Sequence, residues 1–335
     1  MNILVFGAGV LGSLYATRLH QTGYQVSVLA QGRRLAVLRK WGMILESSAS
    51  GRRTFAKVRL AEQLGPEEEY DFVLVAVGRD QLPSVLPLLA ANSRVRSFLF
   101  MVCDASGPES MIAALGRERV LMGYPGASGL LEGCAVRYFR VPALVQRTVL
   151  GELDGRLTPR LQTMAAAFRR SGFPVSLCRN IDAWLKTHAA WAAPVANAIN
   201  ASGGDNLSLA GRTEIVSCMV RAVEEGFSVL RELDTPLTGP FWVRAQRWLP
   251  AMIRAWFWRA VLRTRLAGTS MAEQARVAKQ EMSLVTRDFL TLASRVGIST
   301  PAIKNLAARA ELDAGVAARN GGGHRPSSSW RNTHV

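Results

Sequence analysis

The sequence predicts an α/β protein with an N-terminal doubly wound sheet and an all-helical C-terminal domain. Over residues 1–170, short apolar runs alternate with segments of helical periodicity, as in parallel sheets whose strands are joined by helices. From about Asn180, alanine, leucine and arginine recur at helical spacing, and the β-branched runs end. The predicted domains therefore cover residues 1–170 and 180–315. A tail of disordered composition follows over 316–335.

The first dozen residues carry the most specific signal. Asn2–Phe6 is typical of a buried parallel strand, and glycines follow at positions 7, 9 and 12 in the G-x-G-x-x-G spacing. In that spacing the first glycine permits the turn, the second lets the backbone approach a pyrophosphate, and the third allows close helix packing. The pattern predicts a Rossmann-type dinucleotide site at the amino end of a helix that begins near Val10. Its loop consists of Gly7, Ala8, Gly9, Val10, Leu11 and Gly12. The alternative is a glycine-rich turn that binds nothing.

Further elements are predicted along the chain. Alternating strand and helix patterns in the first half place strands at 24–30, 43–46, 57–60, 71–77, 97–102, 120–123 and 136–139, with helices at 33–41 and from Leu82 to Leu88. In the second half, glycine and proline breaks separate helices at 184–199, 210–233, 250–266, 271–296 and 301–312.

The composition of the chain indicates which kinds of partner and which cellular compartment to expect. The 41 basic and 25 acidic residues give a formal charge of +16, but the arginines are scattered and form no compact block. We therefore expect a basic surface and no specific nucleic-acid partner. Four cysteines without C-x-x-C spacing indicate free thiols and no metal site. With no signal-like segment before the first strand, a cytoplasmic location is expected.

The end of the second predicted strand bears on the choice of cofactor. NAD-binding proteins usually carry an Asp or Glu there, whereas this chain has Gln31, followed by Arg33 and Arg34. Arginines suit a 2′-phosphate, so these residues predict NADP(H). The alternative is that both arginines are solvated residues of the next helix. Arg79 follows the strand at 71–77 and is a second candidate for binding a phosphate of the cofactor. Gln81 could contact the cofactor or cap the next helix.

The chain resembles the ketopantoate reductase family (2-dehydropantoate 2-reductases) from Met1 to about Leu312. The resemblance rests on Gly7 to Gly12, on 71–77 with Gln81, on 184–186, and on Glu281 before 297–301. It implies reduction of the ketone of a 2-oxo acid, such as ketopantoate to pantoate, by NADPH. By position, Lys186 corresponds to the lysine that donates the proton, and Glu281 to the glutamate that helps orient lysine and substrate. A protonated lysine suits this role because hydride delivery builds negative charge on the carbonyl oxygen.

Several positions depart from the family pattern. Asp104 stands where the family has an asparagine near the cofactor, and two further asparagines expected on the lysine's helix fall at Ala190 and Pro194. Asn197 and Asn200 lie further along and are candidate substrate contacts, with capping or loop roles as the alternative. Because of these changes, two alternatives to ketopantoate reduction stay open. The protein could carry out the same chemistry on another carbonyl substrate, or it could be a non-catalytic NADP-binding regulator. His188 is expected to be a packed or pocket-rim residue.

The segment from Trp242 to Arg263 alternates aromatic and basic residues. It could lie on an anionic membrane surface, although its arginines argue against a transmembrane span. We expect instead a helix face that includes Trp248, Ile253, Phe257 and Val261 and packs on the domain core or on a second copy in a homodimer. A large substrate pocket formed by this segment is a further possibility.

Overall fold

A computed structural model of the chain describes residues 1–320. Residues 321–335 of the predicted tail lie outside this range. The last helix, Pro301–Asn320, continues past the predicted end at 312 and includes the first residues of that tail, 316–320. Alanine and arginine, which favour helix, are frequent in this extension.

The strands form two sheets. In chain order they are β1 (Asn2–Phe6), β2 (Gln25–Leu29), β3 (Met43–Ser47), β4 (Arg53–Ala56), β5 (Arg59–Ala61), β6 (Phe72–Val75), β7 (Phe98–Met101), β8 (Val120–Tyr124), β9 (Ala127–Glu132), β10 (Ala135–Arg140), β11 (Thr148–Glu152) and β12 (Val175–Leu177). The eight-stranded sheet has the order β12-β11-β8-β7-β6-β1-β2-β5, and only its β8–β11 pair is antiparallel among the described strands. The four-stranded sheet has the order β4-β3-β10-β9. The predicted strands at 43–46 and 136–139 therefore pair with each other outside the main sheet.

Helices connect the strands and form the second half of the chain. They are α1 (Val10–Gln21), α2 (Gly32–Trp41), α3 (Leu82–Ala90), α4 (Glu109–Leu115), α5 (Pro159–Arg170), α6 (Ile181–Asn200), α7 (Asn206–Gly211), α8 (Thr213–Glu232), α9 (Phe241–Ala245), α10 (Ala251–Leu262), α11 (Arg265–Ala267), α12 (Glu273–Val277), α13 (Lys279–Arg295) and α14 (Pro301–Asn320). The predicted helix at 271–296 is wrong as a single element. It is divided into a π-helical turn at Gly268–Ala272, then α12 and α13, and neither glycine nor proline marks the break at Ala278.

The central strand β1 explains why the sequence shows a continuous apolar run. Ile3 and Val5 join the hydrophobic core on one face of the sheet, whereas Leu4 and Phe6 join the core on the other. Because successive side chains of a strand point to opposite faces, a sheet covered on both sides requires apolar residues at every position. The predicted doubly wound α/β half and helical second half are both confirmed.

Helix α6 belongs to both halves of the molecule. Ile181, Trp184 and Leu185 pack into the core beneath the sheet. From Ala189 onward its buried residues belong to the core of the helical domain, together with residues of α8, α13 and α14. A single helix therefore connects the sheet to the helical domain, and its side chains between 184 and 189 lie where the two domains meet.

Of the predicted face, Phe257 and Val261 pack on the core of the helical domain, whereas Trp248 is 75% exposed. Trp258 and Leu262 are fully buried, and the indole N–H of Trp258 donates to Gln246 Oε1 at 2.8 Å. Ile253 is 47% exposed and Trp256 is 72% exposed. Arg254 of the same helix is buried and forms an ion pair with Glu224. Within residues 1–320, no helix has the length and apolar character needed to cross a membrane.

Candidate functional site

The glycine loop between β1 and α1 has the geometry that its three glycines require. Gly7 has φ +104°, and a Cβ there would lie 2.6 Å from the Ala76 carbonyl oxygen. A Cβ on Gly12 would lie 1.9 Å from the carbonyl oxygen of Gly7, so the first turn of α1 touches the loop backbone. A Cβ on Gly9 would meet no atom within 4 Å. Gly7 and Gly12 therefore serve close packing, and Gly9 leaves open space for a ligand.

A cleft of about 800 Å³ opens in front of this loop. It lies at the carboxyl ends of β1, β2 and β6, where parallel sheets bind their ligands. Its other walls come from β9 and from the segment joining α12 to α13, so the sheet and the helical domain both contribute. The residues that define these walls include Gly7, Ala8, Gly9, Val10, Leu11, Gln31, Arg34, Gly78, Asp80, Gln81, Ser128, Gly129, Gln274, Ala278 and Glu281.

The amino end of α1 suits a phosphate group. Helix α1 begins after Gly9, which has no side chain to cap it, and its first turn contains no acidic residue. The first backbone N–H groups of a helix have no partner within the helix and lie at its positive end. A pyrophosphate at this position would therefore meet backbone donors and no carboxylate from the first turn of α1, and the loop fits a dinucleotide cofactor.

The three residues predicted to select NADP(H) have different surroundings. Gln31 lines the cleft, and its side-chain amide donates to the Glu62 carbonyl oxygen at 3.3 Å. Arg34 also lines the cleft, but its guanidinium donates to the Ala8 carbonyl oxygen at 2.9 Å and to Ser13 Oγ at 3.0 Å. It therefore ties α2 to the glycine loop. Arg33 is exposed at the start of the same helix.

Arg79 lies in an ion-pair cluster. Its Nε donates to Asp104 Oδ1 at 3.0 Å, and one terminal nitrogen lies 2.7 Å from Asp288 Oδ2 and 2.8 Å from Ser106 Oγ. The Asp104 side chain is only 2% exposed, so its contact with Arg79 is shielded from water. Two carboxylates thus neutralise the guanidinium predicted to bind phosphate. Because Asp288 belongs to α13, the cluster also joins the sheet domain to the helical domain.

Glu281 and Gln81 reach the cleft. The Gln81 Oε1 atom accepts the backbone N–H of Gly78 at 3.1 Å, which holds the loop after β6 in place. The pKa of Glu281 is raised to about 7, mainly by burial and also by the nearby Asp80, whereas the backbone N–H of Cys103 and the Arg79 guanidinium act in the opposite direction. A carboxyl group with this pKa exchanges a proton near neutral pH, as a catalytic acid or base must.

Lys186 does not line the cleft that Glu281 lines. Its Nζ pairs with Asp182 Oδ2 at 2.7 Å, one helical turn earlier, and the lysine side chain is 15% exposed. Among the described residues this is the ion pair of Lys186, and its side chain is not part of the cleft wall. The predicted contact between lysine and glutamate is therefore absent from this arrangement. The i, i+4 spacing of Asp182 and Lys186 is the sequence signal that could have identified the pair.

Asn197 and Asn200 hold helices together. Asn197 Nδ2 donates to Thr286 Oγ1 of α13 at 3.0 Å, and Asn200 Nδ2 donates to the Ala275 carbonyl oxygen of α12 at 3.1 Å. Both asparagines are buried, and neither lines the cleft. Their amides fix α12 and α13 against α6, and α13 carries both Glu281 and Asp288.

An apolar pocket lies beside the cleft. His188 and Trp191 of α6 line it, together with Tyr124 and Trp242. The imidazole of His188 packs 4.1 Å from the Tyr124 ring and 4.7 Å from the Trp191 ring, measured between centroids. The expectation that His188 is a packed or pocket-rim residue agrees with this position. The spacing of residues 184, 188 and 191, which share a helix face, was the available signal.

The sheet-edge cleft and its glycine loop have the geometry of a dinucleotide-binding site. Residues 3–155, somewhat less than half of the chain, match the family model of ketopantoate reductase PanE/ApbA. The Bacillus subtilis (strain 168) oxidoreductase YkpB is 27% identical over 192 residues, which cover 56% of this chain and 61% of that protein. The chain thus spans less than two thirds of this curated relative.

Solved structures share the whole fold. A PanE/ApbA family ketopantoate reductase from Ralstonia eutropha JMP134 is 18% identical, with a TM-score of 0.75 and coverage of 95% of this chain and 100% of that one. A 2-dehydropantoate 2-reductase from Geobacter metallireducens GS-15 is 19% identical, with a TM-score of 0.75 and coverage of 93% and 99%. D-mandelate dehydrogenase, solved with NADH and anilino(oxo)acetate, is 16% identical, with a TM-score of 0.77 and coverage of 95% and 99%. At these identities the likeness defines the fold.

Proposed function

We propose that this protein is an NADPH-dependent reductase that converts the ketone of a 2-oxo acid, ketopantoate or a related acid, to an alcohol. The observation that carries the proposal is that the glycine loop and Glu281 line one cleft between the two domains. The family match and the oxidoreductase neighbours support a NAD(P)-dependent reductase. The choice of NADPH rests on the end of β2, where Gln31, Arg33 and Arg34 stand in place of a carboxylate.

The cofactor would be held mainly by the glycine loop. The backbone from Gly7 to Gly12 and the amino end of α1 would bind the pyrophosphate, and the residues after β2 would bind the ribose and its 2′-phosphate. Arg33 is the cation best suited to the 2′-phosphate, since Arg34 already donates to Ala8 and Ser13. When bound, the nicotinamide would supply the hydride for the reduction.

Two residues are candidates for the proton that the reduced oxygen must receive. The family pattern assigns this role to Lys186, whose ammonium would have to exchange its contact with Asp182 for one with the substrate. Glu281 lines the cleft, and its pKa of about 7 means that a large share of the group carries a proton at neutral pH. We propose Lys186 as the donor and Glu281 as the group that orients the substrate and exchanges protons with water.

The proposal is tested by NADPH oxidation with a panel of 2-oxo acids, ketopantoate included. We expect turnover with at least one acid, and we expect Lys186→Ala to lower kcat by about 10²-fold or more while NADPH affinity stays unchanged. The matched control is Lys304→Ala, because Lys304 is an exposed helix lysine in α14. NADPH binding without turnover of any 2-oxo acid would overturn the enzymatic proposal and favour a regulator. Equal losses in both lysine variants would remove Lys186 from the mechanism.

A further inference from the structure

A polar pocket lies beside the carboxyl-terminal half of α1, whereas the glycine loop adjoins the other end of this helix. The volume of the pocket is about 550 Å³, which is within the roughly 300–1,000 Å³ typical of small-molecule sites. No residue of the described chain lines both this pocket and the cofactor cleft. We call it the arginine pocket, and its lining consists of Arg18, Gln21, Ser47, Ser50, Arg52, Arg53, Thr54, Phe55, Tyr138 and Arg140.

The alternation of side chains in the four-stranded sheet directs two of these residues toward α1. Helix α1 packs on one face of this sheet, and Leu45 of β3 and Val136 of β10 belong to the same core as the buried residues of α1. Because every second side chain of a strand shares a face, Ser47 lies on the same face as Leu45. For the same reason, Tyr138 and Arg140 lie on the same face as Val136. The sheet therefore presents a phenol and a guanidinium to the end of α1.

The hairpin from β3 to β4 adds a second arginine from the sheet. The backbone N–H of Ser47 donates to the Arg52 carbonyl oxygen at 3.0 Å, so the antiparallel pairing of the two strands extends to Arg52. Arg52 therefore lies on the same face of the sheet as Ser47. Arg53 lies on the opposite face, where its Nε pairs with Glu46 Oε2 at 2.7 Å. This ion pair leaves the positive charge of Arg52 without a carboxylate.

Positive charge in the arginine pocket is not neutralised by the protein. Arg18, Arg52 and Arg140 form no ion pair with any residue of 1–320, and no Asp or Glu of this range lines the pocket. The carboxyl end of α1 contributes only about half a negative charge. Three guanidinium groups therefore outweigh it and create a positive potential that attracts anions.

Hydrogen bonds hold two of these arginines in place and leave donors available. A terminal nitrogen of Arg18 donates to Tyr138 Oη at 2.6 Å, so the hydrogen of this hydroxyl is left for another acceptor. The Nε atom of Arg18 is buried and has no hydrogen-bond partner in the described part of the chain, which is unfavourable. One terminal nitrogen of Arg140 donates to the Gly172 carbonyl oxygen at 3.0 Å, a contact that uses one of the five N–H groups of the guanidinium.

We infer that the arginine pocket binds a small molecule with two phosphate groups. The planar guanidinium fork matches the oxygens of a phosphate, and two phosphate groups of roughly −1.5 to −2 charge each balance three arginines. The volume exceeds the needs of a single phosphate, and the hydroxyl groups of Ser47, Ser50 and Thr54 suit the polar remainder of such a molecule. Inorganic pyrophosphate and a sugar bisphosphate share this chemistry. The inference does not depend on the proposed function, because the cofactor cleft has different walls.

A binding experiment distinguishes the two sources of phosphate. Isothermal titration calorimetry would measure binding of pyrophosphate, of fructose 1,6-bisphosphate and of fructose to the full chain. We expect at least one of the two phosphorylated probes to bind and fructose not to bind, and the tighter probe identifies the source. Binding of neither probe would overturn the inference. So would binding that NADPH displaces completely, because that binding would belong to the cofactor cleft.

The residues are tested with two pairs of substitutions that remove the same net charge. Arg52→Gln/Arg140→Gln changes two exposed arginines of the pocket, and Arg221→Gln/Arg295→Gln changes two exposed arginines of α8 and α13. We expect the first pair to raise the Kd of the bound probe at least about tenfold, and the control pair to change it less than about twofold. NADPH affinity should stay the same in both, which shows that the fold is retained. Equal weakening in the two pairs would mean that net charge alone attracts the probe, and would overturn the inference.

Two further variants separate a formed site from diffuse attraction. Arg52→Lys/Arg140→Lys keeps the charge and removes the guanidinium fork, so we expect the Kd of the probe to rise about threefold or more. Tyr138→Phe removes only the hydroxyl group that Arg18 holds, and we expect a rise of about two- to tenfold. Unchanged affinity in both variants would overturn the assignment of the arginine pocket, because a diffuse positive surface requires neither the fork nor the hydroxyl group.

Discussion

The glycine loop and helix α6 both face the boundary between the domains, but they depend on different parts of the chain. The loop acts through its backbone, so its role depends on the absence of a side chain at the glycines in positions 7, 9 and 12. Helix α6 acts through side chains, and the role of each depends on which neighbour it meets. Lys186 meets Asp182 on its own helix, and His188 meets Tyr124 of the sheet. Backbone-based sites are therefore more visible in a sequence than side-chain sites.

The largest expected effect comes from comparing two glycines within the loop. Gly12→Ala would press a Cβ to 1.9 Å from the Gly7 carbonyl oxygen, so α1 must move away from the loop. We expect a loss of about 3 kcal/mol or more in the free energy of unfolding, together with loss of NADPH binding. The Cβ added by Gly9→Ala would meet no atom within 4 Å, so this variant should be as stable as the unmodified protein and lose only cofactor affinity. Urea unfolding and NADPH titration separate the two effects, and equal stability of the two variants would contradict the packing role of Gly12.

The next effect distinguishes an ion-pair role of Arg79 from a phosphate-binding role. Arg79→Met leaves the buried carboxylate of Asp104, and that of Asp288, without their cation. We expect a loss of about 2–3 kcal/mol in the free energy of unfolding, at the lower end of the values for broken buried pairs because Arg79 is partly exposed. Arg287→Met, at an exposed position of α13, is the matched control. Unchanged stability with weaker NADPH binding would restore the phosphate-binding role predicted from the sequence.

Local pattern predicted the first βαβ unit well. The apolar run of β1, the start of α1 at Val10 and the glycine spacing all depend on residues close together in the chain. The same holds for the helical second half, whose periodicity marks α6 and α8 within a few residues at each end. These elements could be predicted because the forces that form them act over one or two turns or along a single strand.

Pairings between distant segments could not be predicted in this way. The parallel pairing of β3 with β10 joins residues about 90 positions apart, and the sequence of neither strand indicates which strand it pairs with. Arg79 shows the same limit at the site, because its partner Asp288 lies on a helix of the other domain. The resemblance to a family likewise predicted that Lys186 and Glu281 act together. In the structure, Lys186 forms an ion pair with Asp182 instead.

Glu281 gives a pH-dependent test of the helical side of the cleft. Its pKa is raised from 4.5 to about 7, so the folded protein binds this proton more tightly than the unfolded chain. The stabilisation is fully present below about pH 4.5 and is lost as the pH rises through 7. Glu281→Gln should therefore match the unmodified protein in stability at low pH. At pH 8 the free energy of unfolding of Glu281→Gln should exceed that of the unmodified protein by no more than about 3 kcal/mol.

The same carboxyl group should shape the pH profile of the reduction. If the protonated form of Glu281 supports the reaction, kcat/KM falls as the pH rises above about 7, and Glu281→Gln lacks this limb. Glu311→Gln, at an exposed position of α14, is the control and should keep the profile of the unmodified protein. A stability difference without any change in the pH profile would make Glu281 a buried structural group.

The smallest expected effect concerns Arg33 and Arg34, which adjoin each other but have different surroundings. Arg33 is exposed, so Arg33→Ala should leave stability unchanged and raise the KM for NADPH about fivefold, with no change for NADH. Arg34 donates to Ala8 and Ser13, so the glycine loop loses its contact with α2 in Arg34→Ala. We therefore expect this variant to bind both NADPH and NADH more weakly and to have a lower melting temperature. Steady-state kinetics with each cofactor and thermal unfolding distinguish the two roles. Equal changes for NADH and NADPH in Arg33→Ala would mean that Arg33 does not contact a 2′-phosphate, and the preference for NADPH would then have to come from another residue of the cleft.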